Sequence, residues 1–156
     1  MLTRTFLLAL ALLPFGQPAA QAAPPAPAAS CVSVEDGWIR LPPAPRPMLA
    51  GFGRIRNDCR DTQAVVAVRS PRFGEVSLHE TTVVDGVSRM RELQRLPLAP
   101  GAEAALRPGG LHLMLMRPDA AAFAEGERVP LVLVLEDGAE VPATFVVRPA
   151  APPRGD

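Results

Sequence analysis

The side chains in this sequence best suited to chemistry are few. There are two histidines, His79 and His112, and beyond the initiator four methionines, Met48, Met90, Met114 and Met116. The stretch "GGLHLMLMRP", Gly109 to Pro118, alternates Leu111, Leu113 and Leu115 with His112, Met114 and Met116. Successive side chains of a strand point to opposite faces, so this segment predicts one leucine face and one face bearing an imidazole and two thioethers. Methionine is also a common core filler, so a Leu/Met strand by itself is more often just a strand buried on both faces. His112 and Met114, two residues apart, share a face at a spacing of about 7 Å along the strand, within reach of one ion.

A second His/Met pair comes from the segments "GEVSLHETTV" and "VSRMRELQ", separated by Asp85-Gly86, a strong hairpin signal. With a two-residue turn, Val84 faces Val87 and Met90 faces Thr81, the same-face neighbour of His79. With a four-residue loop, His79 faces Met90 directly. Opposed residues of an antiparallel pair share a face, so either register puts His79 and Met90 on one side; a three- or five-residue loop with a bulge would not. Two pairs, each nitrogen plus sulfur, suit Cu(I). Zinc sites favour His, Cys and carboxylate, calcium and magnesium want oxygen, and soft thioether sulfur selects Cu(I).

The chain that must position these groups begins like an exported protein. Arg4 precedes the apolar run "TFLLALALLPF", and Ala20-Gln21-Ala22 is a small-x-small cleavage site, so residues 1–22 read as a signal peptide cleaved after Ala22 and the chain as exported. Residues 23–30 read as a Pro/Ala linker, residues 31–149 as the folded domain, and residues 150–156 as a loose tail. Cys31 and Cys59 are the only cysteines, and an even, minimal count in an exported chain favours one disulfide. A thiol metal site lacks close-paired spacing. Lipidation of Cys31 lacks the usual apolar residue three places before the cysteine. In an oxidising compartment methionine has the advantage over thiolate that it cannot be lost to a disulfide.

Charge is balanced, with 16 Arg (Lys is absent) against 16 acidic residues, and the leader removes only Arg4. No basic stripe stands out, which argues against nucleic acid or an anionic membrane as the main partner. Breakers are dense, with 19 Pro and 12 Gly. Between them lie roughly eight short β-type runs, from "CVSVEDGWIR" to "VPATFVVRP", with a second hairpin signal at Asp137-Gly138. The one helical competitor is "PDAAAFAEGE". This pattern predicts an all-β, antiparallel β-sandwich or barrel of Greek-key type in a single domain.

The spacing His79-x10-Met90-x21-His112-x-Met114 matches, residue for residue, the H-x10-M-x21-H-x-M motif of the periplasmic copper chaperones called PCuAC. The flanking text also resembles that family: "GWIR", "LHET", "RMREL" and "LRPGGLHLMLM", over about residues 32 to 149. The resemblance implies a cupredoxin-like β-sandwich that binds one Cu(I) through His79, Met90, His112 and Met114. It also implies a monomeric carrier, not an enzyme, that passes copper toward the CuA centre of cytochrome c oxidase, with that subunit or a Sco-type protein as partner. Some relatives carry a His/Met-rich C-terminal tail; this chain ends "PAAPPRGD". Cys31 and Cys59 fall outside the motif and take no copper role. Of the neighbours, Met116 reads as packing beside the site with a spare-ligand role behind it. Met48 reads as an exposed loop residue, Glu80 as pointing away from His79, and Trp38 as core. Copper storage and a metal-free protein-binding sandwich are the competing functions. A blue-copper redox protein would need a thiolate beside two histidines.

Overall fold

The computed structural model describes residues 30–119 and 122–150. The expected leader, all of the linker except Ser30 and the tail beyond Ala150 lie outside these residues. The fold is all-β. Ten strands follow in chain order: β1 (Val32–Leu41), β2 (Met48–Asn57), β3 (Gln63–Arg69), β4 (Phe73–Val84), β5 (Val87–Glu92), β6 (Leu96–Leu98), β7 (Glu103–Leu106), β8 (Leu111–Pro118), β9 (Arg128–Leu135) and β10 (Glu140–Pro149).

The hydrogen-bonded order is β5-β4-β8-β7-β2-β1-β10-β9-β3-β6, and β8 also pairs directly with β2. The sheet folds over so that β3 approaches β4, which closes a β-sandwich around one core. Most pairings are antiparallel, as expected; β1 with β10 and β7 with β8 are parallel. The core forms because the central strands largely alternate buried with exposed side chains. β9, "RVPLVLVL", buries Val129, Leu131, Leu133 and Leu135, and β10 buries Val141, Phe145 and Val147 against them. Leu113 and Leu115 of β8 enter the same core with Leu78 of β4 and Leu49 of β2. Each such leucine contributes about 1.5–3 kcal/mol by leaving water. The leucine face of "LHLMLM" is therefore the inward one.

Both hairpin signals form turns. Asp85 and Gly86 both adopt positive φ, 52° and 76°, as a two-residue type I′ turn requires, and Val84 faces Val87. Gly138, at φ 86°, closes the β9–β10 hairpin. Four expectations need correction. The described residues of "PDAAAFAEGE" form no helix; Phe123 instead stacks on Phe73 with ring centroids 5.2 Å apart. Strand β6 was not expected, because three residues with Pro97 in the middle are too short to show a period. Met48 is not in a loop but opens β2. Trp38 is half-buried outside the core cluster, 4.6 Å from the ring of Phe52 between centroids.

Cys31 and Cys59 are bonded to each other, with Cα atoms 5.1 Å apart, just before β1 and just after β2. The bridge staples the end of the β1–β2 ladder, where Val32 faces Asn57 and the Asp58 amide donates to the Cys31 carbonyl at 2.8 Å. Closing a loop with a sequence separation of 28 stabilises by roughly 3.5 kcal/mol in the chain-entropy model. Reducing the bridge should therefore lower the denaturant midpoint, measured with and without reductant. Metal binding at the His/Met face should be unaffected, because about nine strand residues, ~30 Å, separate Cys59 from Ala50 beside Met114. A midpoint that ignores reductant would mean the bridge contributes nothing.

Candidate metal-binding site

The side of β8 away from the core carries His112, Met114 and Met116, and the register of its neighbours defines what surrounds them. On β4, His79 faces His112, Ser77 faces Met114 and Glu75 faces Met116. On β2, Ala50 faces Met114 and Met48 faces Met116. On β5, Glu92 faces His79 and Met90 faces Thr81. The two-residue turn thus selects the first of the two registers open from sequence. All four His and Met residues of the spacing motif fall on one face of three adjacent strands.

His79 is the hub of this arrangement. Its ring centroid lies 6.0 Å from that of His112. Met114 and Met90 are each its diagonal neighbours, on β8 and β5 respectively. Diagonal cross-strand pairs are about 7–8 Å apart or somewhat less between Cβ atoms, which long flexible side chains span. Met90 is the outlier: it is 54% exposed on the edge strand. It stands at the rim of the face, and its three rotatable bonds give the thioether a wide reach.

The imidazoles are held in forms suited to a metal. The His112 Nδ1 lies 2.9 Å from the Gly110 carbonyl oxygen. A carbonyl only accepts, so Nδ1–H donates to it and the lone pair of the neutral ring sits on Nε2. The His79 Nε2 lies 3.0 Å from the Ser77 hydroxyl, while its buried Nδ1 has no hydrogen-bond partner. A buried polar atom without a partner is costly unless something else satisfies it, and a metal ion does. Burial pushes the His79 imidazole below its ordinary 6.5; His112 adds to the lowering and the Glu92 carboxylate opposes it. The ring is therefore neutral at neutral pH, the form that ligates. Among the described residues no three His, Cys, Asp or Glu side chains gather as a metal site. The other donors on this face are the thioethers of Met114 and Met90.

Three neighbours were not singled out by sequence reasoning: Ser77 on the His79 ring, the Gly110 carbonyl on His112, and Glu92 opposite His79. Ser77 is two residues before His79, so same-face alternation could have found it. Glu80 does point away, facing Arg91 and paired with it at 2.6 Å.

A family model described as putative lipoprotein LpqE-like matches residues 32–147, most of the chain and all but the last strand end of the sandwich. The chain belongs to the LpqE-like family. A curated relative, the putative lipoprotein Lxx21020 of Leifsonia xyli subsp. xyli (strain CTCB07), is 33% identical over 132 residues, covering 83% of the LpqE-like chain and 76% of its own. Among solved structures, the copper-bound PCuAC domain from PmoF2 matches with a TM-score of 0.64 at 20% identity, covering 79% of this chain and 97% of that one. The apo PCuAC domain from PmoF1 matches with 0.64 at 21% identity, covering 78% and 96%. Apo-DR1885 from Deinococcus radiodurans matches with 0.60 at 24% identity, covering 89% and 95%. At these identities the likeness is one of fold. The LpqE-like chain has the cupredoxin-like β-sandwich that the PCuAC resemblance implied.

Proposed function

We propose that this LpqE-like protein is a periplasmic, non-enzymatic Cu(I) chaperone. It holds one Cu(I) through His79, Met90, His112 and Met114 and delivers it toward the CuA centre of cytochrome c oxidase, directly or through a Sco-type protein. The observation that carries the reading is the β4–β8 register, in which His79 faces His112 while Met114 and Met90 flank His79 on the two diagonals. Two neutral imidazoles and two thioethers are a soft, uncharged donor set that matches Cu(I). The partnerless Nδ1 of His79 and the lone pair directed to Nε2 of His112 supply the nitrogen donors. Both cysteines are spent in the disulfide, which leaves no thiolate for a blue-copper centre and argues for a carrier over a redox protein.

Export fits this role: residues 1–22 serve as the leader, cleaved after Ala22. A relative bears the description of a putative lipoprotein. In this chain a lipid thioether on Cys31 would need the sulfur that is bonded to Cys59. Release follows from the same geometry as binding. Met90, on an exposed edge strand, is the ligand a partner can displace first. Cu(I) then leaves as Cu(I), with no electron transferred. The test is to mix copper-loaded protein with an apo CuA domain or an apo Sco-type protein under reducing conditions and to follow copper after separation. Copper should appear on at least one acceptor. Retention against every such acceptor, with protection of cells from excess copper, would replace delivery by storage.

A further inference from the structure

Two methionines on the same face are left over by the four-ligand site, and the register brings them together. Met48 of β2 faces Met116 of β8, and Met114 is the next residue along that face. Directly opposed residues have Cβ atoms about 4.5–5.5 Å apart, and same-face neighbours along a strand lie about 7 Å apart. The three Cβ atoms thus stand at the corners of a small triangle. Methionine side chains are long enough to bring all three sulfurs onto one ion. Opposite Met114 stands Ala50, whose methyl leaves the space open. A shallow pocket of about 200 Å³ lies beside two of the three, lined by Arg40, Pro42, Met48, Leu49, Ala50 and Met114. Met48 is 47% exposed at its edge, so the pocket communicates with solvent.

We propose that Met48, Met114 and Met116 form a second, all-thioether site for Cu(I), a transfer station beside the histidine site. The proposal rests on the chaperone reading in one respect: Met114 belongs to both sites. Once Met90 lets go, an ion on the two histidines keeps its bond to the Met114 sulfur while Met116 and then Met48 replace the imidazoles. The exchange moves no electron and no proton, since every donor is neutral and the ion remains Cu(I). The second site is the weaker one. It has three thioethers and no imidazole, and Arg40, held over the Phe52 ring at 5.0 Å, places a positive charge at the pocket wall. Glu75 flanks Met116 from the other side but is engaged by Arg117 at 3.0 Å. A weaker station beside a tighter one gives the ion a second way to the surface, on the β2 side, besides the one at Met90.

The experiment uses the purified protein with 13C-labelled methionine methyl groups and Ag(I) as a redox-inert soft ion. The first equivalent should shift the Met90 and Met114 methyl signals. A second ion then has Met48, Met116 and a Met114 sulfur bridging both ions, so further equivalents should shift Met48 and Met116 and move Met114 a second time. The double substitution Met48→Leu and Met116→Leu conserves volume and should leave the fold intact. It should preserve the first response and weaken binding of the second equivalent by at least about tenfold. If the Met48 and Met116 signals stay at their metal-free positions through three equivalents, or if the double variant binds the second equivalent as the parent does, there is no thioether station. If instead Met48 and Met116 respond to the first equivalent while Met90 never moves, the station stands and the four-ligand site falls.

Discussion

Replacing His79 by alanine should lower Cu(I) affinity by about 100-fold or more, some 2.8 kcal/mol, in competition with a chromophoric Cu(I) chelator under reducing conditions. The size of the effect follows from the register. His79 faces His112 directly and is the diagonal neighbour of both Met90 and Met114. Removing it takes away one donor and also the group about which the other three are arranged. The fold should survive, because the ring is only half-buried and its one hydrogen bond is to Ser77. Met90→Leu should cost less, on the order of tenfold, since Met90 lies at an exposed edge and Leu conserves its volume. Far-UV circular dichroism of each variant separates loss of binding from loss of fold. Equal losses for the two variants would show that His79 is not the hub, and unchanged affinity in both would remove these residues from the site.

The second large effect should be on stability, and it concerns a residue with no part in metal binding. Asn57 is fully buried at the end of β2. Its side-chain amide donates to the carbonyls of Asp61 at 3.0 Å, Leu98 at 2.8 Å and Ala99 at 3.2 Å, and its side-chain oxygen accepts from the Cys59 amide at 2.9 Å. Its backbone also exchanges bonds with Ala102 and Gly101. One side chain therefore ties the β2–β3 connection, the disulfide half-cystine and the loop after β6. Asn57→Leu should destabilise the protein by about 3 kcal/mol or more, because the carbonyls and amide left behind stay buried without partners. By the usual scaling that is a fall in Tm of roughly 10 °C for a domain of this size. Thermal and urea denaturation measure it, with Arg95→Ala as the comparison. The Arg95–Glu136 pair, at 2.7 Å, is exposed on both sides, and its loss should barely move either transition. A comparable loss in both variants would mean that the buried network has no special weight.

The sequence by itself determined the alternation of strands and turns, and hence the all-β sandwich, because a period of two and a Gly-bearing turn are local properties. It also determined that His112 and Met114 share a face, and that Asp85-Gly86 turns β4 back on β5. The donor types pointed to a soft metal for the same local reason: softness belongs to the side chain. What sequence left open was every relation between distant segments. Two hairpin registers were compatible with "TVVDGV", and only the paired positive φ of Asp85 and Gly86 selects the one that puts Glu92, not Met90, opposite His79. Nothing local says that β4 lies against β8, yet that single pairing sets one histidine against the other. Met48 looked like a loop residue because a Pro-rich run precedes it; β2 reaches it only because β8 is there to pair with Met48 through Met116. Asn57 looked like any polar residue at a strand end, since its importance comes from carbonyls some 40 residues away in sequence. Local patterning chose the faces. Tertiary pairing chose which faces meet, because hydrogen-bond register between strands depends on how the whole core closes.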